Sequence, residues 1–217
     1  MPFSSVLGAS SVIKPGVCTS TTRPTVPYEG QLIYETDTDR VASYNGSAWV
    51  YTATGGLIVV KSETAFTTAS SVTADNVFTS TYTNYLLTIR ASTTSNDILN
   101  LRLRTGGTSA STNYNWQQAQ FDSTTSYVSR STSQTSFQIL NATNGATAFT
   151  TVWLSGPQLA ALTNIGTNQI HNYTTSTPGV AFYYGNHSTA TSYDGFELLM
   201  SAGSTTGTYT VYGYAKS

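Results

Sequence analysis

Residues 98–104 read ILNLRLR. Leu99, Leu101 and Leu103 share one parity, and Asn100, Arg102 and Arg104 share the other. A strand sorts such a pattern onto two faces, one apolar and one polar. Runs of similar character lie on both sides, at residues 57–61, 77–78, 85–90, 114–121, 127–130, 136–140, 149–154, 169–173, 180–184, 196–200 and 209–214. Gly106-Gly107, Asn144-Gly145, Pro178-Gly179 and Asp194-Gly195 read as breaks between them. Only residues 158–162 leave room for a helical turn. About ten short strands in ~160 residues predict an all-β, jelly-roll-like β-sandwich over residues 56–217.

Composition agrees with a folded β chain. Charged residues make up 9% of the 217, while Ser and Thr account for roughly a third. Disordered chains are charged and poor in aromatics; this one has 15 Tyr, 8 Phe and 3 Trp. Those residues, with Val, Ile and Thr, suit a pleated, half-buried surface. The net charge of −1 and scattered Lys and Arg argue against a nucleic-acid footprint. No apolar run approaches the ~20 residues of a membrane span, and no signal-peptide pattern opens the chain. Cys18 is the only cysteine, which excludes an intrachain disulfide and a cysteine metal site.

Upstream, residues 1–27 read as an extended arm whose apolar pairs, Val6-Leu7 and Val12-Ile13, are too few for a core. Residues 28–55 read as a β-hairpin and linker. Pro24 and Pro27 hold the approach extended. Residues 31–35 then form a strand, with Leu32 and Tyr34 on one face and Ile33 and Glu35 on the other. Asp37, Thr38 and Asp39 make a turn through Asx-type bonds, and residues 41–44 return. Asn45-Gly46 is a two-residue hairpin signal, residues 48–50 form a third strand, and residues 52–56 form the linker. So small a module leaves Val6, Leu7, Ile13, Ile33, Tyr34, Tyr44 and Trp49 as candidates for docking on a partner or a neighbouring subunit.

The stretch TRPTVPYEGQLIYETDTDRVASYNGSAWV, residues 22–50, resembles a segment of tailed-bacteriophage virion proteins of the form RP-x-x-P-x-EGQ-x-IYETDTDR-x-x-x-YNG-x-AWV. It stands near the N-terminus of tail-fibre, head-fibre and minor structural proteins. The ending SYDGFELLMSAGSTTGTYTVYGYAKS is similar to the final hairpin of their C-terminal domains. The resemblance implies a structural protein at the virion surface: a homotrimeric appendage, either a head fibre or capsid decoration or a short tail fibre. It would attach through its N-terminal region to other virion proteins. The alternative is a lectin-like, receptor-binding adhesin of the tail that recognises host-surface glycan.

Chemistry-bearing constellations are sparse. Glu35, Asp37 and Asp39 lack the remaining ligands of a calcium loop. His171 and His187 are the only histidines, with no cysteine beside them. The chain has ten acidic residues, and of these only Asp194 and Glu197 in the C-terminal section lie close in sequence, as a turn residue and an outward strand residue. The expectation is therefore no enzyme, no metal and no cofactor. Aromatics beside amides are the better lead for a glycan contact: Tyr114 and Trp116 in NYNWQQ, and Tyr184 and His187 in YYGNH. Adjacent Tyr183 and Tyr184 must point to opposite faces of a strand, one into the core and one free.

Overall fold

The computed structural model describes residues 15–51, 56–122, 125–172 and 177–215, and there is no helix among them. Val6, Leu7, Ile13 and the linker residues 52–55 lie outside the described residues. The chain is all-β and divides into two units, Met1–Gly55 and Gly56–Ser217.

The first unit is a four-stranded sheet in chain order: β1 (Gly16–Cys18), β2 (Leu32–Glu35), β3 (Arg40–Tyr44) and β4 (Trp49–Tyr51). The hairpin is thus joined by a strand from the stretch read as arm. β1 runs parallel to β2, pairing Val17 with Tyr34. The turn at Asn45 is longer than a two-residue hairpin, because Tyr44 pairs with Trp49 and four residues intervene. Asn45 organises them: its Oδ1 accepts from the backbone of Ser47 at 3.0 Å and of Ala48 at 2.8 Å, while Gly46 takes the left-handed conformation at φ 92°.

The second unit is a β-sandwich. Its strands are β5 (Leu57–Ala69), β6 (Ser71–Ala74), β7 (Asn84–Thr93), β8 (Asp97–Thr105), β9 (Thr108–Ser109), β10 (Tyr114–Phe121), β11 (Ser126–Gln134), β12 (Phe137–Ala142), β13 (Thr147–Ser155), β14 (Thr163–Asn172), β15 (Pro178–His187), β16 (Gly195–Met200) and β17 (Thr205–Tyr214). Eight lie in one sheet, in the order β11-β10-β15-β14-β13-β7-β17-β5. The other sheet runs β12-β8-β16-β6, with β9 paired to β8. The chain changes sheet repeatedly, in jelly-roll manner, but β13, β14 and β15 follow one another as a meander within the large sheet. The ending is not a hairpin: β16 belongs to the small sheet and β17 to the large one.

Alternation builds the core. Tyr85, Leu87, Ile89 and Ala91 of β7 are buried, and so are Leu99, Leu101 and Leu103 of β8, with Phe196 and Leu198 of β16 in the same cluster. Val77 and Phe78, read as strand, are instead a buried loop whose two amides both donate to the Asp194 carbonyl, at 2.8 and 2.9 Å. Pro178-Gly179, read as a break, begins β15, and Gly195, read as part of a turn, begins β16. Residues 158–162 make turns and bends rather than a helical turn. Gly195 is required by close approach, since a Cβ there would stand 2.2 Å from the Ala74 carbonyl oxygen. Backbone cannot yield as a side-chain tip can, so Gly195→Ala is expected to destabilise the sandwich by about 1–3 kcal/mol or more. Thermal unfolding reads this as a lowered Tm, and an unchanged Tm would refute the packing constraint.

Candidate functional site

In the N-terminal unit, side-chain parity produces two unlike faces. Ile33 and Ala42 pair across β2 and β3 and are both buried, Ile33 at 1% exposure. Ile33 therefore belongs to the unit's own interior and offers nothing to a partner. Glu35, on the same face, is also fully buried. Its Oε1 accepts from Arg23 Nε at 2.5 Å, and its Oε2 accepts from Tyr51 OH at 2.7 Å and Thr38 Oγ1 at 3.0 Å. Arg23 Nη2 also donates to Tyr51 OH at 2.9 Å, and the Arg40 guanidinium lies 4.9 Å from the Tyr51 ring centroid. A sheet this small cannot build an apolar core deep enough to hold itself, and this network supplies part of the missing cohesion. Tyr44 and Trp49 are half-buried against each other, centroids 5.4 Å apart.

The acidic turn does not use the expected Asx bonds as its main contacts. Asp37 reaches back to Ser20, accepting from its amide at 2.8 Å and its hydroxyl at 2.5 Å, and Asp39 accepts from the Tyr34 hydroxyl. Among the described residues no three His, Cys, Asp or Glu side chains converge on a metal position. The opposite face of the sheet is open and carries no charged strand residue, the Asp39 carboxylate meeting it only at the Tyr34 hydroxyl. Val17, Leu32, Val41 and Val50 are exposed there, with Tyr34 half-buried among them.

The four residues proposed for glycan contact separate in the sandwich. Tyr114, Trp116 and His187 point inward. The Tyr114 hydroxyl accepts from the Leu103 amide at 2.8 Å and donates to the Ala110 carbonyl at 3.1 Å, and burial pushes the phenol up. Trp116 packs edge-on against buried Tyr183, centroids 5.6 Å apart. His187 Nε2 lies 3.0 Å from the Thr112 carbonyl, so Nε2 carries the proton and Nδ1 accepts from Tyr193 OH at 3.1 Å. Burial holds the imidazole below its usual range. Tyr114 and His187 are closed to a glycan by the sandwich's own packing, and Trp116 is half-buried against the core.

Tyr184 alone faces outward, 53% exposed, on the outer face of the large sheet. Register sets its surroundings. Tyr184 pairs with Gly166, and Gly166 pairs on its other side with Trp153. A Cβ on Gly166 would stand 2.7 Å from Tyr184 Cε1 and 3.8 Å from Trp153 Cε3, so both rings lean over the glycine. The Tyr184 hydroxyl donates to Asn168 Oδ1 at 2.8 Å, fixing the ring along β14. One pleat away, Asn84, Ser155, Asn164 and Asn186 pair in a row across β7, β13, β14 and β15. All of these but Asn186 line a groove of about 800 Å³ with no charged residue in its lining. Sequence reasoning found Tyr184 but not Trp153, Gly166, Asn164 or Asn168, because their adjacency depends on pairing between distant strands.

The chain matches no family model, no curated protein and no solved structure.

The Arg23 hydrogen bond, foremost among its contacts, holds the Glu35 carboxyl below its ordinary value of 4.5. The unfolded chain thus takes up this proton first as pH falls. The stabilisation is complete above about pH 4.5 and is lost as pH drops through the lower folded-state value. The Trp49 indole NMR signal of the first unit should report this acid loss, and Glu35→Gln should be weakened already at pH 7. Equal acid profiles for the two proteins would remove Glu35 from this role.

Proposed function

We propose that this chain is a structural protein of a tailed-bacteriophage virion: a homotrimeric surface appendage, of head-fibre, capsid-decoration or short tail-fibre type. Its N-terminal unit attaches to other virion proteins and its β-sandwich is displayed. The reading is supported by the residue 22–50 segment and carried by one observation, the open, largely apolar face of the four-stranded unit. Val17, Leu32, Tyr34, Val41 and Val50 form a contiguous apolar surface on a module with little interior of its own. Such patches mark protein contacts, and covering these side chains is worth of order 1 kcal/mol each. Tyr44 and Trp49, on the opposite face, are secondary candidates.

Residues 1–55 fused to an unrelated soluble domain should direct it to particles lacking the native protein. Residues 56–217 alone should fold and fail to attach. Leu32→Asp with Val50→Asp should abolish attachment by the full chain while leaving the sandwich's unfolding transition in place. Attachment by residues 56–217 at unchanged occupancy would move the docking surface into the sandwich and defeat this division of labour. Light scattering of the purified chain should give about three times 23.1 kDa; a monomer at micromolar concentration counts against the trimer.

The same reading has the protein turn over nothing. Asp194 and Glu197 have structural employment: Asp194 Oδ2 accepts from the Gly106 amide at 2.9 Å, and Glu197 pairs with Arg102 at 3.7 Å. Host capsular or lipopolysaccharide should keep its chain length on incubation. Depolymerisation abolished by Asp194→Asn or Glu197→Gln would overturn this.

A further inference from the structure

We infer that the groove on the outer face of the large sheet binds a neutral pyranose, with the Tyr184 ring as the stacking platform. The inference is independent of where, or whether, the chain is carried on a virion. Exposed tyrosines ordinarily rotate freely and lose that freedom on binding. Tyr184 is already fixed, by the absent side chain of Gly166 beneath it and by the Asn168 hydrogen bond at its tip. A ring held in place with half its surface in water has little left to lose when a ligand covers it. Covering a strand glycine explains why a ring lies over Gly166, but not the polar row beside it.

That row supplies the second half of the site. On one face of a strand, residues two apart lie about 7 Å apart, comparable with the width of a pyranose ring. A sugar with its C–H face on Tyr184, where the ring's negative quadrupole meets polarised C–H groups, has its hydroxyl rim over the next pleat. There stand Asn84, Ser155 and Asn164, whose amides and hydroxyl both donate and accept. Trp153 walls the platform on the far side of Gly166. The absence of charge from the lining sets the ligand class. A uronic or sialic acid carboxylate would be desolvated without a counter-charge, whereas neutral hydroxyls lose nothing of that kind.

The test is saturation-transfer difference NMR on the full chain. The probes are methyl glucoside, methyl galactoside, methyl mannoside and N-acetylglucosamine, with methyl glucuronide as the anionic counterpart. At least one neutral pyranoside should show transfer, strongest at its ring C–H protons, and the glucuronide much less. Tyr184→Ala should abolish the transfer, and Asn164→Ala should reduce it several-fold. Tyr127→Ala, an exposed tyrosine on the other face of the sheet, should leave it unchanged. Unfolding transitions recorded alongside identify any variant that loses its fold. If Tyr184→Ala does, Tyr184→Leu, which keeps bulk over Gly166 but no π face, replaces it and should lose transfer equally. Transfer from none of the neutral sugars, transfer surviving the loss of Tyr184, or equal transfer from the glucuronide overturns the inference. So does a fall in oligomeric mass in Tyr184→Ala with no sugar bound by the parent chain, which assigns the face to self-association.

Discussion

The sandwich is governed by a mismatch in width: eight strands in one sheet stand against a four-strand path in the other. A narrow sheet can dry only the middle of a wide one. Along β7, β13 and β17 the inward residues are accordingly mostly apolar, Leu87, Val152 and Val211 among them, in one cluster with Leu99, Leu101 and Leu198, and the polar exceptions are threonines such as Thr150. Toward the small sheet's edge strand, β12, the inward chemistry changes. Gln118 and Gln120 of β10 and Gln169 and His171 of β14 replace hydrocarbon. The glutamines bond to one another, to β12 and to Asp122, and His171 faces Asp122 at 3.6 Å. Gln118 Nε2 donates to Gln120 Oε1 at 2.8 Å, and Asn141 Nδ2 donates to the same oxygen at 2.7 Å. The Asn141 amide donates to Gln169 Oε1 at 2.5 Å, and Tyr183 OH donates to Asn141 Oδ1 at 3.1 Å. Burial lifts the Tyr183 phenol to about 12, keeping it a donor at any ordinary pH. An apolar seam there would leave hydrocarbon wet at its margin; amides bonded to amides do not have that problem.

This change of chemistry also marks where the sequence is readable. Leu99, Leu101 and Leu103 were legible because β8 lies mid-sheet, where inward means apolar. β14 was not, because its inward parity is Thr163, Ile165, Thr167, Gln169 and His171, while Ile170 faces out at 59% exposure. Hydrophobic alternation carries no signal in a strand whose interior face is polar, and only its last few residues were recognised. Ser71–Ala74 was missed for a related reason, being four short residues of weak contrast. The opposition of Tyr183 and Tyr184 followed from strand geometry alone and holds. The company of Tyr184 did not follow, since Gly166 and Trp153 reach it through pairings that no local pattern records.

In the N-terminal unit the legible and the hidden are reversed. Three of its strands could be placed from Pro, Asn-Gly and short polar residues, but β1, the length of the Asn45 turn and the role of its charges could not. Glu35 could be placed on the Ile33 face of its strand, but nothing local showed it to be the buried hub of Arg23, Thr38 and Tyr51. Asp37 binds Ser20 across seventeen residues of sequence separation rather than its own turn. Where a module has too little hydrocarbon to exclude water, directional bonds specify its geometry. Apart from Ile33 and Ala42, its aliphatic strand residues Val17, Leu32, Val41 and Val50 face outward.

The scarcity of charge has a further consequence at the margins of the large sheet. Edge strands invite pairing with other chains, and proteins commonly block this with charge, bulges or twist. Here β5 carries Lys61 and Glu63, three register shifts against β17, and Thr68 at φ 47°. β11 is irregular where it leaves β10, between Tyr114 and Trp116, and Ser133 there takes φ 55°. Both edges are therefore poor templates for strand addition. The faces are different: Phe121, Val180, Ile170 and Phe149 pair in succession across β10, β15, β14 and β13 on the outer surface, and all four are at least partly exposed. With its edges blunted, the sheet presents to any partner a side-chain surface, in which Arg90 continues the row beside Phe149, rather than a backbone ladder. Such contact is reversible and selective in a way that sheet extension is not.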